Sequence, residues 1–136
     1  MKKLIIGIIA GASMLIINML ISALISAYFP DIQVEYENEV LFRPWTDPLM
    51  SYIYFEPFIV AFILLWFWEK TKGILPKKEW WVKGIYFGIF YWLLGFPGLF
   101  MSYSSFPISL MITGSWAISG LFQAITVGII YSKSFK

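Results

Sequence analysis

An ionisable residue and a proline stand side by side in one of the most apolar parts of this chain. The stretch YFEPFIV, residues 54–60, places Glu56 directly before Pro57. A proline has no backbone N–H, so in a helix Pro57 leaves the carbonyl of Ile53 without its usual donor. Burial in an apolar medium disfavours the charged form of a carboxylate. We therefore expect Glu56 to be protonated and to donate a hydrogen bond beside a helix break at Pro57.

Other polar residues are expected at the depth of Glu56. Counting along each apolar segment places Asn18, Thr113 and Ser115 near this level. We predict that the four residues form a ligand- or proton-binding site, with a second helix break at Pro97. An acidic residue inside a membrane is a functional candidate by default, because placing it there is costly. The alternative is structural, in which a protonated Glu56 bonds to Asn18 or Ser115 and holds helices together.

The composition indicates which elements carry these residues. Hydrophobic residues make up 60% of the 136-residue chain and charged residues 13%, against about 45–50% and 25% in soluble domains. The charges are clustered, which leaves four apolar segments near the roughly 20 residues that cross a bilayer. The sequence predicts an all-α integral membrane protein, a single domain over residues 1–136, with four transmembrane helices in an antiparallel bundle. We expect the spans at about 4–28, 48–68, 82–103 and 106–131, and the main loops at 29–47 and 69–81.

The first apolar segment also has features of a secretory signal, because Lys2 and Lys3 precede it. Its apolar core is longer than the roughly 7–15 residues of a signal peptide. Ile21 and Ile25 also occupy positions where a cleavage site requires small side chains. We expect this segment to remain as an uncleaved first span.

The basic residues are distributed unevenly between the connections. Nine of the ten Lys and Arg residues lie near the termini or between residues 70 and 83, and Arg43 is the exception. Lys and Arg in short loops mark the cytoplasmic side. We therefore expect a multi-pass protein of the cell membrane, with both termini and loop 69–81 cytoplasmic and loop 29–47 external. The weak alternation of IQVEYENEVLF within the external loop also allows a small β-hairpin.

Small residues recur at helical spacing in three of the spans. Lipid tails are as apolar as leucine, so membrane helices associate through close backbone approach at small residues. The spacing predicts packing seams, and the alternative is that part of a seam lines a polar cavity. The expected helix-packing positions are Gly7, Gly11, Gly84, Gly88, Gly95 and Gly120.

Missing residue types narrow the range of functions. The chain has no Cys, which excludes a disulfide framework and thiol catalysis, and no His, which removes the commonest metal ligand and general base. The apolar segments contain no paired carboxylates. We therefore expect no enzymatic activity, no metal, no cofactor and no nucleic-acid partner.

Two hypotheses about function remain. The first is a small ion- or proton-linked transporter that works as an oligomer, because four helices alone enclose little space. The alternative is a non-catalytic membrane subunit that docks other membrane helices through its small-residue seams. In both hypotheses the lipid bilayer is a partner, together with a second copy of the chain or another membrane protein.

Overall fold

Every regular element in the described part of the chain is helical. A computed structural model describes residues 1–76 and 79–135. Four segments are long and apolar enough to cross a membrane: Lys2–Tyr28, Pro48–Thr71, Trp80–Ser105 and Leu110–Ser134. This finding confirms the prediction of an all-helical chain with four candidate membrane spans. The elements are α1 (Lys2–Tyr28), α2 (Asp31–Tyr36), a 3-10 helix (Pro48–Tyr54), α3 (Glu56–Thr71), α4 (Trp80–Ser105) and α5 (Leu110–Ser134).

Local turn chemistry sets several of the helix ends. The Asp47 carboxylate accepts a hydrogen bond from the Leu49 N–H at 2.9 Å and so caps the 3-10 helix. The Ser109 hydroxyl accepts from the Ile112 N–H at 3.2 Å and caps α5. Phe106 is extended, as expected for a residue before a proline. These features make α5 begin four residues later than the sequence predicted.

The loop between the first two spans contains a helix where a β-hairpin was considered. Ile32 of α2 is only 2% exposed and packs against Ile108. The carboxylate of Glu35, also in α2, accepts a hydrogen bond from the Ser109 N–H at 2.6 Å. The hairpin prediction was wrong. The polarity of the sequence alternates weakly, as in a strand, but the residues that make these contacts follow helical spacing. Residues 32 and 35 share one face of a helix, and both contact the segment that leads into α5.

The four long helices pack in the order α3, α1, α5 and α4. Neighbours run antiparallel, as the contacts between α1 and α3 illustrate. Gly7 lies against Phe62, and Gly11 lies against Phe58. α3 also reaches α5, where the Tyr131 hydroxyl donates to the carbonyl of Ala61. The described helices therefore form an antiparallel bundle, and both chain ends lie at the same end of it.

The core is densest in the half of the bundle near the termini. Trp68 is 1% exposed, and its ring meets the Phe87 ring edge to face at 5.1 Å between centroids. This contact joins α3 to α4, which are not neighbours along most of their length. Other buried members of this core are Ala10, Met14, Ala61, Leu64, Val127 and Tyr131. Large apolar side chains therefore fill much of the described part of this half of the bundle.

The closest approach of two helices is between α4 and α5. A Cβ built on Gly88 would lie 2.6 Å from the carbonyl oxygen of Ala124. A Cβ built on Gly84 would lie 2.7 Å from the carbonyl oxygen of Gly128. Both distances are shorter than van der Waals contact, and both involve backbone that cannot rotate away. These two positions therefore require glycine.

Gly95 and Gly120 differ from this pattern. A Cβ on Gly95 would meet no neighbouring atom within 4 Å, and one on Gly120 would meet only the Trp92 side chain, at 3.8 Å. The Trp92 indole lies between α4 and α5 and donates to the carbonyl of Ala117 at 2.8 Å. A bulky ring at this level keeps the two backbones apart. Gly95 and Gly120 are therefore not close-packing positions within this chain.

Candidate functional site

The second candidate membrane span is broken next to Glu56. The 3-10 helix ends at Tyr54, and Glu56 is the first residue of α3. The N–H groups of Phe58 and Ile59 donate to the carbonyl of Phe55 at 3.1 and 3.3 Å. Pro57 thus occupies the first turn of α3, where a backbone N–H would have no acceptor within the helix, so the N–H that proline lacks is not needed. The break lies at the junction of two helices and not inside a continuous one.

Pro97 behaves differently from Pro57. α4 continues through Pro97 to Ser105, so the break expected there is not observed. Membrane helices tolerate an internal proline when local adjustments or neighbouring groups satisfy the freed carbonyl. The adjacent Gly95 and Gly98 have no neighbouring atoms within 4 Å of a built Cβ, so this part of α4 has room to adjust.

Contacts with α1 locate the height of Glu56 in the bundle. Because Gly7 pairs with Phe62 and Gly11 with Phe58, the antiparallel register places Glu56 opposite Ser13. That is near the middle of α1 and about 7.5 Å along the axis from Asn18. Glu56 lies deeper than α-helical counting suggests, since the preceding 3-10 helix rises about 2.0 Å per residue instead of 1.5 Å.

Asn18 forms a polar cluster with α5 and not with Glu56. Its side-chain oxygen accepts hydrogen bonds from the Ser119 hydroxyl at 2.9 Å and from the Gln123 amide at 3.5 Å. The Gln123 amide also donates to the Ser119 oxygen at 2.9 Å. Ser119 is only 6% exposed, so the cluster satisfies a buried polar group. These three residues join α1 to α5.

Thr113 and Ser115 bond to their own helix. The Thr113 hydroxyl donates to the carbonyl of Ser109 at 3.2 Å, and the Ser115 hydroxyl donates to that of Ile112 at 2.6 Å. Both residues lie beyond Asn18 toward the α2 end of the bundle. The structure therefore separates Glu56 from the three residues expected to share its site, although Asn18 and Ser115 line one cavity.

Glu56 has an open environment on one side of the bundle. It is exposed, and within residues 1–76 and 79–135 its carboxylate makes no hydrogen bond or ion pair. Tyr91 of α4 is close enough to interact with it electrostatically. Gly95 and Gly98 follow on the same face of α4, four and seven positions later, with open space beside them. We refer to Glu56, Tyr91, Gly95 and Gly98 as the α3–α4 notch.

A cavity of about 320 Å³ opens at the α2 end of the bundle. It lies between α1, α2, the 3-10 helix and α5, and it contains neither Glu56 nor Tyr91. Several aromatic residues of this cavity were not among the predicted site residues. The clearest sequence signal for them is the concentration of aromatic residues in the loop before the second span: Tyr36, Phe42 and Trp45.

Comparisons with known proteins add no functional information. No family model matches the chain, and no curated protein or solved structure shows significant similarity to it. In the described part of the chain, no group of three or more acidic, Cys or His residues is placed to hold a metal ion. The features that bear on function are therefore the helix bundle, the α3–α4 notch and the cavity at the α2 end.

Proposed function

We propose that the protein is a membrane protein that works as an oligomer and binds a proton or a small cation at Glu56 during transport. One observation carries this proposal. The Glu56 carboxylate lies near mid-height in the bundle, exposed and without a hydrogen-bond or ion-pair partner in the described part of the chain. A carboxylate that only joined helices would be hydrogen-bonded to one of them. Glu56 is instead left free to bind a ligand.

Two opposing effects make Glu56 suitable for gaining and losing a proton. It stands in the first turn of α3, where the helix dipole stabilises negative charge. Its apolar surroundings favour the neutral form. A group held between these effects can change its proton occupancy with a small change in hydration. Such a change is what coupled transport requires.

The need for an oligomer follows from the shape of the bundle. The half near the termini is filled by large buried side chains, among them Trp68 and Tyr131. In the α3–α4 notch, Glu56 is exposed and Gly95 and Gly98 have open space beside them. A second copy placed against the notch would supply the missing wall around Glu56. We propose that the transport pathway lies between copies of the chain.

Ion flux in proteoliposomes tests this proposal. We expect the wild-type protein to dissipate an imposed proton gradient, followed with an enclosed pH-sensitive dye. Glu56→Gln keeps the size of the side chain but cannot ionise, so the flux should fall to that of empty liposomes. The matched control is Glu69→Gln in the same helix, because Glu69 pairs with Lys3 at 2.7 Å at the other end of α3.

Two results would contradict transport at Glu56. One is an unchanged flux in Glu56→Gln, and the other is an equal loss of flux in Glu69→Gln. Circular dichroism and gel filtration of each variant establish that it is folded. A wild-type protein without flux of protons or monovalent cations would also overturn the proposal.

We also propose that both termini face the cytoplasm. The support is the excess of lysines near the termini and between residues 70 and 83. The chain has no cysteine, so single cysteines report orientation cleanly. In intact cells a membrane-impermeant maleimide should label Glu39→Cys, and it should label Gly73→Cys only after lysis. The reverse pattern would invert the orientation.

The alternative function is a docking subunit for other membrane helices. It is favoured by Gly95 and Gly98, which leave one face of α4 uncovered. Small residues on an uncovered face allow another helix to approach closely. A docking subunit should tolerate Glu56→Gln and should show no ion flux that depends on Glu56, whereas a transporter should lose its flux in this variant.

A further inference from the structure

The cavity at the α2 end has chemical features that transport at Glu56 does not explain. Its lining includes four aromatic residues: Tyr36, Phe42, Trp45 and Trp116. At about 320 Å³ it is at the small end of the range for ligand sites. A small molecule could therefore be partly enclosed there.

Three of the four aromatic rings are held in place by one another. The Trp116 indole N–H donates to the Tyr36 hydroxyl at 2.7 Å. The ring centroids of Tyr36 and Phe42 lie 5.2 Å apart, and those of Phe42 and Trp116 lie 6.4 Å apart in an edge-to-face arrangement. Trp45 is 56% exposed and stands at the rim. A preformed set of rings loses little conformational entropy when a ligand binds.

The segment that supplies Tyr36, Phe42 and Trp45 to the cavity is acidic. Residues 29–48 carry five acidic residues and Arg43 as their one basic residue. Arg43 lines the cavity, but its guanidinium is paired with Asp47 at 2.8 Å. Asp31, Glu37 and Glu39 are exposed and form no ion pair with any described residue. The net negative charge of this segment therefore favours the approach of a cation over that of an anion.

Aromatic rings and negative charge together indicate one class of ligand. The faces of Trp and Tyr rings attract organic cations, most strongly where water is excluded. Apolar side chains complete the lining, among them Ile21, Ile25 and Ile53. We infer that this cavity binds a small amphipathic organic cation, a quaternary or protonated tertiary ammonium that carries an apolar group. This binding is independent of the function proposed for Glu56.

A pair of soluble probes tests the inference. Benzyltrimethylammonium and benzylsulfonate share the benzyl group and carry head groups of opposite charge. Isothermal titration calorimetry of the full chain in a non-ionic detergent, against a detergent blank, should detect binding of the cation. The sulfonate should bind at least about tenfold more weakly. Added salt should weaken binding of the cation, because the unpaired carboxylates of residues 29–48 are exposed and easily screened.

Two matched pairs of variants locate the binding. Trp45→Leu removes a ring at the rim and should weaken binding about threefold to thirtyfold. Trp66→Leu is the control, because Trp66 is 58% exposed on α3 and lies outside the cavity. Ser22→Leu should fill the cavity from α1 without removing a ring. Ala23→Leu adds the same side chain at the adjacent position, which does not line the cavity.

The inference is overturned by any of three results. These are no binding of the cation by the wild-type protein, equal or tighter binding of the sulfonate, and equal weakening in the members of a matched pair. If Trp45→Leu does not fold, the comparison of Ser22→Leu with Ala23→Leu decides whether the cation binds in the cavity. Loss of cation binding in Ser22→Leu alone would support the cavity as the site. Glu56→Gln should bind the cation normally, which keeps this test separate from the flux experiment.

Discussion

Gly88→Ala should force α4 away from α5 and lower the free energy of unfolding by about 3 kcal/mol, at the upper end of the cost of overpacking. The added Cβ would lie 2.6 Å from both the carbonyl oxygen of Ala124 and the Cα of Ile125. Side chains can change rotamer to relieve a clash, but these two atoms belong to the backbone of α5. The whole seam must therefore move, and the Trp92 hydrogen bond to Ala117 would be disturbed with it.

Thermal unfolding in detergent, followed by circular dichroism, measures this effect. Gly95→Ala and Gly98→Ala are the matched controls, because the added methyl groups would meet no neighbouring atoms within 4 Å. Both controls should unfold like the wild-type protein. If Gly95→Ala were as destabilising as Gly88→Ala, the difference between seam and open face would be refuted. The bulkier Gly95→Leu tests whether the notch lies at an interface between copies. If this variant changes association without changing the unfolding temperature, the notch lies at such an interface.

Trp68→Ala should be the most destabilising change in the core, by about 3–5 kcal/mol. Trp68 is 1% exposed and joins α3 to α4 through its contact with Phe87. Alanine would leave a large cavity and remove most of the contact between these two helices. Trp68→Phe should be much milder, because the indole N–H has no hydrogen-bond partner among the described residues. The Trp68→Phe variant therefore loses side-chain volume but no hydrogen bond.

The control for this second prediction is Trp66→Ala, two positions earlier in the same helix. Trp66 is 58% exposed, so its removal should have little effect on the unfolding temperature. Detergent unfolding followed by near-ultraviolet circular dichroism compares the three variants under one set of conditions. Equal unfolding temperatures for Trp68→Ala and Trp66→Ala would show that the core is not concentrated around Trp68.

The elements of the fold were largely predictable from the sequence because their causes are local. Long apolar segments require helices in a membrane, and the Asp47–Pro48 pair is a strong signal for a helix start. Short, partly exposed elements were less predictable. α2 is stabilised by Ile32 and Glu35 meeting the start of α5, and such a contact depends on residues more than seventy positions away.

The candidate site was less predictable than the fold for a geometric reason. Helical periodicity shows which residues share a face, but it does not show which neighbour covers that face. Asn18 was correctly recognised as polar within an apolar helix, yet its partner is Ser119. Glu56 also lies deeper in the bundle than α-helical counting predicts, because a 3-10 helix precedes α3. Neither the order of the helices around the bundle nor the helix type can be read from apolar segments alone.

The hydrogen bond between Asn18 and Ser119 also has a consequence for biosynthesis. The two residues are 101 positions apart, in α1 and α5. At a synthesis rate of about 5–20 residues per second, Ser119 would be made about 5–20 s after Asn18. During this interval the Asn18 amide would lack its final partner. A ribosome that stalled before α5 would leave that amide exposed, which would distinguish a chain without α5 from one that contains it.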